Sequence, residues 1–164
     1  MSDFPFLTVM IVVPLVGAVA TAALPAGHRL ALPKQVALGA SLITLVLGAI
    51  MAAGYDRNGG FQYTEQHTWI ELFGAHYALG VDGLGLLMVL LTALLVPIVI
   101  GASWHDADPG ATLRLDDEAA ATRHTKAFFA WALALEGLSI AVFAATDAFL
   151  FYVVFEAKIG RAHV

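Results

Sequence analysis

Runs of about 20 apolar residues separated by short polar stretches dominate this chain, and a helix of that length can cross the roughly 30 Å hydrocarbon layer of a bilayer. The first run covers about residues 4–23. Ala20-Thr21-Ala22 resembles a signal-peptide cleavage site, but the flank Met1-Ser2-Asp3 lacks the basic residues such a peptide needs, so the run is read as a retained helix. Leu24-Pro25-Ala26-Gly27-His28-Arg29 breaks it with Pro and Gly. The second run, 33–54, opens on Pro33 in a first-turn position and is rich in the small residues that let helices approach closely in lipid. The third, 83–103, follows Asp82, whose carboxylate predicts an N-cap; inside it Pro97 removes one ladder hydrogen bond and predicts a bend. A charged stretch from Trp104 to Lys126 reads as a solvated loop before a fourth run, 127–145. Thr146-Asp147 links that run so tightly to a fifth, starting at Ala148, that the two must form an antiparallel pair.

Two places depart from this rhythm. From Tyr55 to Gly80 the aromatic residues Phe61, Tyr63, Trp69 and Tyr77 are spaced among charges, and two extended stretches flank Phe73-Gly74, which predicts a β-hairpin outside the membrane. The fifth run fails after Ala157, when its ten residues have covered only about 15 Å. Lys158-Ile159-Gly160-Arg161-Ala162-His163-Val164 would place two cations, a glycine and a histidine in lipid, and Ile159 to Val164 also matches the translation of a common sequencing adapter. The expectation is a truncated span over 148–157 and a non-native tail over 158–164. The fold class expected is all-α, a polytopic transmembrane helix bundle of about five spans, the fifth truncated, with a short extramembrane β-hairpin.

Composition narrows the function classes. With 60% hydrophobic against 13% charged residues, the chain is too apolar for an ordinary soluble domain. It has no cysteine, so it can build no disulfide and no thiolate metal or iron–sulfur site. The net charge of -5 contains no basic run, which removes the footprint of nucleic-acid binding. Arg29 and Lys34 follow the first run and Arg114, Arg123 and Lys126 the third, whereas only Arg57 follows the second. The positive-inside rule then predicts the amino terminus and the 55–80 loop outside.

Two ionisable side chains lie deep in the apolar runs, Glu136 and Glu156. Each is ten residues from Thr146 along its own helix, so both are expected near mid-bilayer on adjacent helices. A carboxylate there costs a few kcal/mol by insertion scales, and such residues mark ion pathways or face a protein interior. Glu156 is read as a proton-carrying acid and Glu136 as a candidate proton relay, against a plainer alternative in which each is permanently protonated and only hydrogen-bonds across helices, Glu136 to Ser139 one turn along. Asp147 and Asp82 stand at helix starts, where capping explains them. Gly83-Leu84-Gly85 heads a membrane helix with no preceding strand, so it is no nucleotide loop. The histidines, His67 and His76 among them, have no metal-ligand spacing, and no metal is expected.

The run Gly80-Val81-Asp82-Gly83-Leu84-Gly85-Leu86-Leu87-Met88 resembles the start of the third helix of chain M of NADH:quinone oxidoreductase, in the antiporter-like family. Ala141 to Ala157, with Thr146-Asp147-Ala148 and Phe155-Glu156-Ala157, resembles the join of its fourth and fifth helices. The likeness reaches to Ala157 and covers about the first third of such a chain. It implies that Glu156 is the proton-handling acid of the fifth helix, whose partner is a lysine on a later, broken helix beyond this sequence, and that Asp147 is of secondary importance. It also implies a proton-translocating subunit of an enzyme complex, inactive as this piece alone. Such a chain binds no cofactor itself; NADH, FMN, iron–sulfur clusters and quinone belong to other subunits. Other membrane subunits, lipid and protons are its expected partners, and a bacterial inner membrane, crossed several times, its location. Two alternatives stay open: a subunit of a multisubunit cation/proton antiporter, and a small membrane anchor or assembly protein ending at Val164.

Overall fold

The computed structural model describes residues 4–24, 31–70, 75–105 and 118–159. Among these residues five helices and one hairpin occur in the order α1 (Phe6–Ala23), α2 (Ala31–Ala53), β1 (Gln62–Ile70), β2 (Ala75–Val81), α3 (Gly83–Ala102), α4 (Glu118–Ala144) and α5 (Ala148–Ile159). In α1 to α4 the long apolar segments are long enough to cross a membrane. This is the helical membrane bundle with a hairpin that the pattern predicts, and the chain is a multi-pass membrane protein. Lipid offers no partner for backbone N–H and C=O groups, so an apolar run in it can only be helical.

Three boundaries differ from the sequence reading. Helix α4 begins at Glu118, not near residue 127, so the second half of the supposed solvated loop is helical. The sequence Glu118-Ala119-Ala120-Ala121 consists of strong helix formers, and polar residues do not stop a helix that has left the membrane. Helix α2 begins at Ala31, two residues early, which keeps Pro33 within the first turn where its missing N–H costs nothing. Lys34, counted with the positive charges that follow the first run, is helical and buried. Helix α3 runs unbroken through Pro97. Helix α5 continues through Lys158 to Ile159, with the Lys158 ammonium 5.8 Å from the centre of the Phe143 ring; the rest of the supposed tail lies outside the described residues.

The hairpin closes one end of the bundle. Strands β1 and β2 are antiparallel, with His67 opposite Tyr77 and Gln62 opposite Val81. Leu79 and Val81, two apart and so on one face, are buried against the helix ends. A bulge between Gln62 and Glu65 holds Tyr63 at φ 53°, a conformation an aromatic residue rarely adopts. It is held there by its own hydroxyl, which donates to the Met51 carbonyl at the end of α2 at 2.9 Å. Glu65 reaches the start of α1, where its carboxylate accepts from the Leu7 N–H at 2.8 Å, from the Thr8 N–H and from the Thr8 hydroxyl. Helix α1 has no capping side chain of its own, so a residue 58 positions later supplies the cap. Thr146 N–H donates to the Ala78 carbonyl, which ties β2 to the α4–α5 turn as well.

The opposite end is tied by cations. The Lys34 ammonium donates to the Trp104 carbonyl just past α3 and lies 5.7 Å from the Trp104 ring centre. Lys126 donates to the Leu24 carbonyl just past α1. Free carbonyls at a helix C-terminus favour such donors. Thus the helices that run away from the hairpin begin on carboxylates (Glu65 for α1, Asp82 for α3, Asp147 for α5), and the first two end on lysines.

Candidate functional site

The buried stripe of α4 contains Thr125, Phe129, Leu133, Glu136, Gly137, Ile140 and Ala144, spaced three or four apart. That spacing carries Glu136 into the space between α1, α2 and α3. Its exposure is 1%, and both carboxyl oxygens lack a hydrogen-bond partner. Ser139 therefore does not hydrogen-bond it.

Glu136 separates two apolar clusters. Toward the hairpin, Leu7, Met10, Met51, Val89 and Ile140 pack together; toward the other end, Ala18, Ala37, Ile100, Phe129 and Leu133 do so. The buried polar residues Ser41 and Thr44 lie on α2 between Ala37 and Met51, as Glu136 lies on α4 between Leu133 and Ile140. Both hydroxyls donate to their own helix, Ser41 to the Leu38 carbonyl at 3.0 Å and Thr44 to the Ala40 carbonyl at 3.1 Å. Sequence reasoning passed over these two, because a Ser or Thr in an apolar helix satisfies itself and carries no charge. Their spacing from each other and from Gly48 was the signal available.

Glu156 has opposite surroundings. It lies eight residues into α5, as Glu136 lies eight residues from the end of α4, so both sit roughly 12 Å from the hairpin-end turn at 1.5 Å per residue. Equal distance from the turn does not bring the two acids into one site, since Glu136 is buried and Glu156 exposed. Glu156 is exposed, on a helix whose Phe151, Tyr152 and Phe155 are exposed too and of which only Leu150 is buried. Glu136 is enclosed by four helices.

Asp147 is at the hairpin end, outside the spans. Its carboxylate accepts from the Phe149 N–H at 2.8 Å and the Leu150 N–H at 3.1 Å. The Leu150 N–H, with those of Phe149 and His76, holds this carboxyl below its ordinary range. Asp82 caps α3 in the same way, accepting from the Gly85 N–H at 2.7 Å. On the hairpin, burial raises the Tyr77 hydroxyl above its ordinary pKa, and that hydroxyl lies 2.9 Å from the Thr8 hydroxyl. No group of three or more His, Cys, Asp or Glu side chains able to hold a metal ion occurs among the described residues.

No protein-family model matches the chain. Individual relatives do. Over 97% of its length it is 37% identical to NADH-quinone oxidoreductase subunit M of Mycobacterium tuberculosis, of which it covers 32%. It is 39% identical over 81% of its length to subunit M of Rhodobacter capsulatus, covering 22% of that protein, and 34% identical over 92% to NADH-ubiquinone oxidoreductase chain 4 of Mycosarcoma maydis, covering 28%. The chain spans a third or less of the length of these relatives.

Proposed function

We propose, from the premise that the chain belongs to the subunit M (chain 4) family of NADH-quinone oxidoreductases, that it is part of a membrane subunit that carries protons across a bilayer while other subunits pass electrons from NADH to quinone. NADH, FMN, iron–sulfur clusters and quinone belong to those other subunits, and this chain binds none of them. The membrane is a bacterial inner membrane. The hairpin and the amino terminus face outward, a reading supported by Lys34 and Lys126 at the opposite end of the bundle.

Glu156 is the proton-carrying acid. The observation that carries this is its place: an ionisable side chain eight residues past the start of an apolar helix, on a face the described residues leave open. Such a face can meet a cation from elsewhere in the complete subunit. Approach of the cation favours the carboxylate and releases its proton; withdrawal favours the neutral acid and reloads it. Glu136 is a candidate relay, and Asp147 acts secondarily by fixing the start of the helix that bears Glu156. The decisive experiment is Glu156→Gln in the complete subunit within its complex. A loss of proton transport by roughly 10²-fold is expected of a removed proton-transfer group. Proton transport and quinone reduction both at the parent level would end the assignment.

A further inference from the structure

We propose that the layer separating the two apolar clusters is a water-binding site, in which the Glu136 carboxyl and the hydroxyl oxygens of Ser41 and Thr44 hold internal water. Two sets of close contacts fix the level of this layer. A Cβ on Gly17 would lie 2.6 Å from the Ala40 Cβ and 3.1 Å from a Leu133 methyl, so α1, α2 and α4 meet there. One turn toward the hairpin from those three residues stand Pro14, Thr44 and the Glu136–Gly137 pair. A Cβ on Gly48 would lie 3.2 Å from the Met10 methyl and 3.9 Å from the Ala93 Cβ. One turn back from that level stand Pro14, Thr44 and Pro97, and all three are buried. The same layer is reached from both sides.

Its chemistry is one-sided. The Ser41 and Thr44 protons are committed to backbone carbonyls, so their oxygens offer only lone pairs to the interior. Pro14 and Pro97 have no N–H, which releases the Met10 and Ala93 carbonyls from the helix ladder. The Glu136 oxygens are unpartnered. Even a neutral Glu136 brings only one O–H donor to this group of lone pairs, and buried polar groups nearly always find a partner. Glu136 is 1% exposed within α1 to α4, so a donor that fits beside it there has to be small. Water supplies two donors and can bridge a carboxyl to a hydroxyl oxygen, which is how buried water is ordinarily held. The site follows from the packing of α1 to α4 alone and does not depend on the role given to Glu156.

The test uses the complete subunit in its complex, reconstituted in lipid. Infrared difference spectra would read the Glu136 carboxyl band, identified by its loss in Glu136→Gln, in ordinary and oxygen-18 water and in sodium and potassium media. An electron-microscopy map sharp enough to show ordered water would be the second readout, and it needs no variant. Density within hydrogen-bond distance of both the Glu136 carboxyl and Thr44 is expected. So are an O–H stretch that moves with the isotope and is lost in Glu136→Gln, and a carboxyl band that shifts in Thr44→Val. A carboxyl band unmoved in Thr44→Val with no density beside it would overturn the proposal. So would a band that moves when sodium replaces potassium, since the occupant would then be a cation.

Discussion

Glu136 and Glu156 are the same residue type at the same distance along consecutive helices from the turn that joins them, yet one is enclosed by four helices and the other lies on an open face. The difference is one of azimuth, not of distance from the turn. Glu136 shares the α4 stripe with Phe129, Leu133 and Ile140, so packing of that stripe buries it. Glu156 stands on a helix attached to the bundle mainly by Leu150, by the Asp147 turn and by the Lys158–Phe143 contact. An enclosed acid can be tuned only by what the bundle already contains. An open one is available to something that moves.

The sharpest way to break this contrast is to place a cation at each position. Glu136→Lys puts an unpaired ammonium into an enclosed layer and should cost roughly 3 kcal/mol or more. The amount of folded subunit in membranes should fall steeply, while Glu156→Lys leaves it near the parent level. Equal losses would mean that the two surroundings do not differ. A smaller effect tests the walls around Glu136. In Gly137→Val the new Cβ would lie 2.8 Å from the Leu15 Cγ and 3.0 Å from the Ile11 carbonyl oxygen, an overpacking that costs about 1–3 kcal/mol. Gly101→Ala meets nothing within 4 Å and should melt within a degree or two of the parent in detergent, on the order of 0.5 kcal/mol.

Between these two lies the effect of the cap on α1. Glu65→Ala should lower stability by about 1 kcal/mol, as loss of an N-cap ordinarily does, and Glu65→Gln by less. The smallest effect is a pH dependence at Asp147. Its folded pKa is lowered, so the stabilisation is fully present above the unfolded value of about 4 and is lost as pH falls through the folded one. The difference in melting temperature between Asp147→Ala and the parent should be flat from pH 5 to 8 and shrink below about pH 4. A gap that widens on acidification would mean that the capping carboxylate is not the stabilising form.

The spans and the hairpin were readable in the sequence because lipid permits few backbone solutions and enforces run length. Distance along the helix was readable too, since it is only a count from the Thr146 turn. Azimuth was not: which side of α4 faces inward depends on the fit of Gly17 against Ala40 and of Gly137 against Leu15, and no single run records that. Lys34 and Lys126 read as loop charges because their partners, Trp104 and Leu24, are bare backbone carbonyls at distant helix ends. Glu65 was missed for the same reason. Its targets are the N–H groups of Leu7 and Thr8, on residues with no charge to announce the pairing.

That last contact has a temporal side. Helix α1 lacks its N-terminal cap until the hairpin, 58 residues later in the chain, has been delivered to the same face of the membrane. Until then α1 is held by its packing on α2, where Gly17 meets Ala40, and its hairpin end is unfixed. The hairpin thus acts as a latch on assembly order, and a chain stalled before residue 65 is inserted without being locked.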